Sequence, residues 1–504
     1  MITHRTARWE RLLMLGIALE FLALVAIPLY SIPFHISRNY NEGWNAYFAQ
    51  AAITGGTLYP SGDSMMINNY PPLSFYIIGA IGKLAGDNIV AGRMIAFLAL
   101  MVIARNVFEF SRWLGSDRML AGLSMGVFLL GIYTLMPQYI ALNDPGFLAH
   151  AFVTSAGLAF LKARESRLWQ GMFFASLLMI LGGLIKHSTI SLPLALCAYT
   201  VFNDRRRLGV FLITSMVVGM MVGVVAYSVW GMAMLDGVLF NARQKSIQRS
   251  VVMMLHDLPL LLPYIVMTTI AWLLRADRQK FSFVLWYLVW SMFNAFWMFS
   301  GGGVNQNVMC DAIISLSLGA AIFIIAMIGI ENRFVALRGK IQALAVLLIS
   351  VPWMATSLLT YLSSPYITTL AQILDAPKWE KLSETLARSE GPVACETLAI
   401  CYWAHKPMEI DFFNYGQKLL TGSVYVDAPT GFLAKISKKT YTYVVIERIP
   451  LDNSRLPRFL MEDLFQNYEL PKSSQLITRG ELFLVPRPSD GERIQPKSAR
   501  IGSL

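Results

Sequence analysis

The chain of 504 residues is 55% hydrophobic and only 14% charged, with a mean hydropathy of +0.51. That balance excludes an ordinary soluble globular protein of this length and points to a polytopic membrane protein. The formal net charge of +11 is not a nucleic-acid signature. The basic residues fall in short clusters between long apolar runs, as cytoplasmic loops of membrane proteins do.

The first basic segment, with Arg5, Arg8 and Arg11, leads into an apolar run reaching Tyr30. Its length suits a transmembrane helix, and no small-residue cleavage site of the kind that ends a signal peptide follows it. Behind it stand Tyr40-Asn41-Glu42-Gly43-Trp44 and then Asn69-Tyr70-Pro71-Pro72-Leu73. This places a carboxylate, aromatic rings and a rigid Pro-Pro pair in one loop at the membrane surface, over 34–88. The apolar stretch 73–85 within that loop is short for a span, carries Lys83, and is read as a helix lying near the interface.

Spans are expected at 12–33, 89–110, 118–137, 146–161, 169–185, 188–202, 208–231, 256–274, 281–299, 308–330 and 341–363, about eleven in all. With the N-terminus in the cytoplasm, the loops at 112–118, 162–167, 204–207, 275–280 and 333–340 face inward, and each is rich in Lys or Arg. The odd count sends residues 364–504 to the outer side, where the composition turns soluble. The alternating run 441–446 there suggests a small α/β domain, followed by a polar tail from about Ser489. The division is therefore a membrane domain over 1–363 and an outer domain over 364–504.

Of four cysteines, Cys197 and Cys310 fall in spans and read as small packing residues. Cys395 and Cys401 lie in the outer domain, where oxidising conditions permit a disulfide; their spacing leaves the bonded and the free forms both open. A zinc site is disfavoured, since only His405 stands nearby.

The outer face collects Asn41, Glu42, Tyr70, Pro71, Pro72, Asn143-Asp144-Pro145, Lys186-His187, Arg243, Lys245, Arg249 and Ser300 to Asn307. Asp144 also reads as part of a turn that ends one helix and starts the next. Lys186, at the seam between two apolar runs, needs water, a partner or an anionic ligand; snorkelling to the interface is its simpler reading. The cations Arg243, Lys245 and Arg249 run against the positive-inside trend, which suits either a bound anion or anionic lipid headgroups. Glu20 in the first span reads as hydrogen-bonded within the bundle, Arg105 and Glu109 as an i,i+4 ion pair, and His150 as near enough to Asp144 to share its cavity.

The motifs Asn41-Glu42-Gly43-Trp44, Tyr70-Pro71-Pro72-Leu73, Asn143-Asp144-Pro145, Leu184-Ile185-Lys186, Ile247-Gln248-Arg249 and Ser300-Gly301-Gly302-Gly303, in that order, resemble the GT-C class of integral-membrane glycosyltransferases. The branch they resemble is related to protein O-mannosyltransferases and includes lipid A aminoarabinose transferases and lipopolysaccharide-core galacturonosyltransferases. The resemblance implies a polyprenyl-phosphate-linked sugar donor, a glycan, lipid or protein acceptor in the envelope of a bacterial inner membrane, and an inverting displacement. It implies Glu42 as base, with Asp144 either orienting the acceptor or raising the basicity of the site. It also implies donor-phosphate contacts from Lys186 and Arg249, which the outer cations Arg243 and Lys245 join by their charge, with Asn41, Tyr70, Pro71 and Pro72 shaping the substrate site. Where the family has an acidic pair this chain has Asn41, which leaves a role for a divalent metal open; no other cofactor is implied. A transporter or flippase of a lipid-linked or anionic substrate is the competing class, but the candidate groups gather at one face and no inverted repeat is visible.

Overall fold

The computed structural model describes residues 2–274, 278–331, 340–362, 364–447, 454–471 and 481–488. The polar tail and most of the basic loops at 275–280 and 333–340 lie outside these residues. The described chain divides into two compact units. The first comprises Met1–Phe34, Asn45–Gly62 and Asn68–Asp375, the second His35–Trp44, Asp63–Ile67 and Ala376–Leu504.

The first unit is built from helices α1 Ile2–Tyr30, α2 Tyr40–Thr54, α3 Leu73–Ala85, α4 Asn88–Leu114, α5 Arg118–Leu135, α6 Gly146–Lys162, α7 Leu168–Ile185, α8 Ser191–Asn203, α9 Arg205–Leu239, α10 Ile247–Leu274, α11 Arg278–Phe299, α12 Cys310–Glu331, α13 Lys340–Leu362 and α14 Ser364–Leu374. The first turn of α2 belongs to the second unit. Among the described residues nine stretches are long and apolar enough to cross a membrane, and 73–85, 146–162 and 191–203 are shorter apolar helices. Each of the eleven expected spans corresponds to one of these helices, and 73–85 is the short helix expected in the first loop. α14 packs on α13 and α1, so the compact unit continues to Asp375, past the 363/364 boundary suggested by composition.

Local sequence sets the helix ends. Asp87 caps α4, its Oδ1 accepting from the backbone N–H of Ile89 at 2.6 Å and Val90 at 3.2 Å, and Gly115 closes the helix with φ 106°. Asp117 and Asp204 cap α5 and α9 in the same way. The span expected to end at 231 breaks there, at Gly231 with φ 61° inside α9; a left-handed turn is one that glycine adopts at little cost.

Helix packing in lipid relies on close approach rather than on expulsion of water. A Cβ on Gly319 of α12 would sit 1.9 Å from Thr268 Oγ1 of α10, so only glycine permits that crossing. Inside the bundle Ser357 donates to Glu20 at 2.5 Å, as expected for Glu20. Glu109 is held by Lys162 rather than by Arg105. The reason is geometric: Lys162, at the end of α6, reaches Glu109 from a neighbouring helix. The basic loops at 162–167 and 204–207 meet, with Arg207 donating to the Phe160 carbonyl at 3.0 Å and the Glu165 carboxylate at 2.9 Å. That contact places both at one end of the bundle.

One buried cation escaped the sequence reading. Arg93 of α4 is fully buried, and its guanidinium donates to the carbonyls of Ser31, Ile32 and Phe34 at 3.2, 3.0 and 2.9 Å. It satisfies carbonyls at and just past the C-terminal end of α1, where a helix lacks intrahelical donors.

The second unit holds a four-stranded sheet of order β1-β2-β4-β3: β1 Val393–Cys395, β2 Tyr443–Glu447, β3 Tyr468–Glu469 and β4 Glu481–Pro486. β1 runs parallel to β2, pairing Cys395 with Val445. The β2/β4 and β3/β4 pairs are antiparallel. Helices α15 Ala376–Arg388, α16 Leu398–Trp403, α17 Phe412–Leu420, α18 Phe432–Ser437 and α19 Arg458–Asn467 accompany the sheet. A core including Phe412, Tyr415, Phe432, Tyr441, Val444 and Tyr468 fills the interior.

Candidate functional site

The first unit brings Tyr70, Tyr139, Asp144, Lys186 and Arg243 together. The chain leaves α5 through a short 3-10 turn, Pro137–Tyr139, and passes Ala141, whose φ of 51° is unusual for a residue with a Cβ. It then enters α6 behind Asn143-Asp144-Pro145. Asn143 is locked in place: Asn45 of α2 donates to its carbonyl at 2.9 Å, and α4 approaches so closely at Gly92 that a Cβ there would lie 1.8 Å from Asn143 Oδ1.

Asp144 is 5% exposed. Its Oδ1 accepts from the backbone N–H of Gly146 at 2.8 Å, at the start of α6, and lies 3.5 Å from Lys186 Nζ. Its Oδ2 is buried with no hydrogen-bond partner among the described residues. The residue lines a small cavity together with Tyr139, His150 and Asn307, so His150 does share Asp144's cavity. His150 itself lies 3.4 Å from Asp311 of α12, to which Tyr287 donates at 2.7 Å.

Lys186 follows the last residue of α7. Its ammonium stands 5.4 Å from the centroid of the Tyr70 ring. Burial opposes its charge, but the Asp144 carboxylate and the Tyr70 hydroxyl more than restore it, so the group titrates above the usual lysine range. Burial pushes the hydroxyls of Tyr70 and Tyr139 up. His187 is driven down to about 4 by burial and by the adjacent Lys186 and Arg243 charges, which keeps it neutral at pH 7. The Tyr70 backbone is braced from both sides, its N–H bonded to Asn68 Oδ1 at 3.0 Å and its carbonyl to the Tyr59 hydroxyl at 3.0 Å. Pro72 then takes the N-cap position of α3.

The other cations sit differently. Arg249 points its guanidinium at the glycine-rich loop, donating to the carbonyls of Phe299, Gly301 and Val304 at 2.7, 2.7 and 2.5 Å. Lys245 forms a bridge to Gly301 and lays its ammonium over the Trp297 ring at 4.9 Å. The segments 244–249 and 299–304, both singled out in the sequence, are therefore one structural piece.

Glu42 and Asn41 belong to the second unit. Asn39, before the first residue of α2, accepts from the Asn41 N–H at 3.0 Å, and the fully buried Glu42 carboxylate reaches back to the Arg38 N–H at 2.9 Å. This is a variant of the capping box. Cys395 and Cys401 are joined by a disulfide. Among the described residues no three His, Cys, Asp or Glu side chains converge, so no set of residues is assigned to a divalent cation.

Residues 69–231 match the family model for dolichyl-phosphate-mannose-protein mannosyltransferases. The matched segment contains Tyr70, Asp144 and Lys186 and excludes Glu42, Arg243, Lys245 and Arg249. No curated protein matches the sequence. Among solved structures, apo ArnT from Cupriavidus metallidurans is 13% identical, covering 95% of this chain and 98% of its own, at a TM-score of 0.58. The same protein bound to undecaprenyl phosphate is 12% identical over 94% and 97%, at 0.57. The chain thus has the GT-C fold of integral-membrane glycosyltransferases over nearly its whole length, and its segment 69–231 resembles the dolichyl-phosphate-mannose-protein mannosyltransferases.

Proposed function

We propose that the chain transfers a sugar from a polyprenyl-phosphate-linked donor to a hydroxyl of an envelope acceptor, at the periplasmic face of a bacterial inner membrane. The acceptor is lipid A or lipopolysaccharide, another glycan, or a protein. The observation that carries this reading is the buried, charged Lys186 beside Asp144 and Tyr70, with Arg243 close by. A cation pair of this kind, at the end of apolar helices, suits the phosphate of a lipid whose chain lies in the membrane.

In the proposed reaction the acceptor oxygen attacks the anomeric carbon in a single inverting displacement while the bond to the phosphate oxygen breaks. Its proton passes to a general base, the role that the resemblance gives Glu42; the electron pair of the broken bond stays on the phosphate, whose added charge Lys186 and Arg243 hold. Asp144 orients Lys186. Arg249, whose guanidinium is engaged by the Phe299, Gly301 and Val304 carbonyls, and Lys245, whose ammonium lies over the Trp297 ring, serve by shaping that loop rather than by gripping phosphate. Tyr70, Pro71 and Pro72 shape the entrance. The Cys395–Cys401 disulfide supports an oxidising compartment for the C-terminal unit, with the N-terminus in the cytoplasm.

The test is the melting temperature of the purified full chain with undecaprenyl phosphate or with undecaprenol. A ligand at about 100 times its Kd stabilises by roughly 2.7 kcal/mol. The phosphate is expected to raise the melting point well above the alcohol, and Lys186→Met and Arg243→Met to erase the difference. Equal stabilisation by the two lipids would remove the phosphate site.

A further inference from the structure

The second unit contains an arrangement that neither composition nor family resemblance announces. The first turn of α2, which carries Glu42, is seated on the turn closed by Cys395 and Cys401. A Cβ on Gly43 would lie 2.1 Å from the Ala399 nitrogen and 2.4 Å from the Leu398 carbonyl carbon. Both are backbone atoms, so the two segments touch main chain to main chain and neither can yield as a flexible side chain would.

Two further contacts fix the same turn. His35, a few residues before Glu42, stacks on Trp403 at the end of α16, ring centroids 5.0 Å apart and planes 16° off parallel. Glu396, next to the disulfide, accepts from Arg455 at 2.8 Å, and that guanidinium lies 4.4 Å from the centroid of the Tyr40 ring. On its other side Tyr40 donates to Asp411, and Trp44 donates to the same carboxylate at 3.0 Å. Asp411 is fully buried and also accepts from the backbone N–H of Asn414 at 2.9 Å. Residues 35–44 are thus gripped at Gly43, at His35 and at Tyr40, and two of those grips start from the disulfide-closed turn or its helix.

We propose that the Cys395–Cys401 turn is the positioning element of the carboxylate at Glu42: by seating Gly43 and His35 it sets where that group stands, and the rate of sugar transfer depends on it. The inference rests on the assignment of Glu42 as base. Cys395 and Cys401 do not touch the reacting atoms and act only through the backbone they tie. Both are 2% exposed or less, so the bond is shielded from small reductants.

The experiment compares wild type, Gly43→Ala, the Cys395→Ala/Cys401→Ala pair and Glu42→Gln as full chains in nanodiscs. It reads kcat and donor KM together with hydrogen exchange over residues 36–47. A displacement of about 1 Å at a reacting group costs on the order of 10²-fold in rate. Gly43→Ala and the cysteine pair are both expected to lower kcat by about that factor, to leave donor KM within about twofold, and to speed exchange in 36–47 while α17 stays protected. Unchanged exchange and kcat in both variants would overturn the proposal. If the cysteine pair unfolds, Trp403→Ala against Trp403→Phe decides instead: only the variant that keeps the ring should keep kcat, and equal rates count against the seat. Glu42→Gln separates the two claims. Full activity there removes the base, whereas loss of activity there with an unaffected Gly43→Ala removes the positioning element alone.

Discussion

Lys186 Nζ and Asp144 Oδ1 stand 3.5 Å apart, with side chains 12% and 3% exposed, so the charge of each is neutralised mainly by the other. Removing one partner of such a pair leaves an uncompensated buried charge and costs about 3–5 kcal/mol, whereas replacing both by neutral groups can be nearly free. Lys186→Met and Asp144→Asn are each expected to lower the melting temperature clearly, and the double variant to recover most of the loss. Transfer activity should remain absent in all three. Additive destabilisation in the double variant would show that the two side chains are not coupled.

The approach of α4 to the Asn143–Asp144 turn gives a second expectation. Alanine in place of glycine inside an exposed helix normally stabilises by roughly 0.5–1 kcal/mol. Gly183 of α7, which has open space around it, should follow that rule. At Gly92 the added methyl meets Asn143 and must push the turn away, so Gly92→Ala is expected to cost about 1–3 kcal/mol and to cut transfer activity sharply. Melting curves and initial rates of the two variants side by side check it.

Arg249 separates a loop clamp from a phosphate ligand. Lysine keeps the charge but cannot reproduce a planar fork that reaches three carbonyls. Arg249→Lys is therefore expected to destabilise the chain by about 1–3 kcal/mol while leaving the added stabilisation by undecaprenyl phosphate intact. A variant that melts like wild type but no longer responds to the phosphate would return Arg249 to the binding site.

The C-terminal unit carries a pH dependence with a definite sign. Glu481 is 5% exposed, accepts from Thr397 at 2.8 Å, and faces Glu447, Glu396 and Arg455. Burial first, and then the neighbouring carboxylate of Glu447, hold it well above its usual 4.5. The folded state therefore binds a proton that the unfolded state releases, and its contribution to stability is full below about pH 4.5 and is lost as the pH rises through the folded value. Glu481→Gln is expected to flatten the fall in melting temperature above pH 4.5. An unchanged slope would show that Glu481 is not the group responsible.

Much of the membrane half was legible because lipid leaves the chain little choice. An apolar run of sufficient length must satisfy its own backbone as a helix, and Asp87, Asp117, Asp204 and Gly115 mark helix ends by local chemistry alone. Lys186 was legible for the same reason: an ammonium at a seam between apolar runs requires a partner. The partner was not, since Asp144 lies forty-two positions away and only the crossing of α6 and α7 unites them. Arg93 was missed because a single arginine inside an apolar run looks like a helix-end residue, and its three carbonyl acceptors belong to a different segment. Arg249 and Ser300–Gly303 were both noticed, yet that one clamps the other depends on tertiary contact. The extension of the membrane unit to Asp375 is likewise a packing result. Family resemblance supplied the proposed role of Glu42, while its capping geometry came from the fold.

The most direct test of the central claim is mass spectrometry of envelope glycolipids and lipopolysaccharide from cells lacking the gene, complemented with wild type or with Glu42→Gln at equal expression. The account predicts loss of a defined hexose, pentose or uronic acid mass that wild type restores and Glu42→Gln does not. Full restoration by Glu42→Gln would contradict the proposed base, and a glycan profile that never changes would contradict sugar transfer itself.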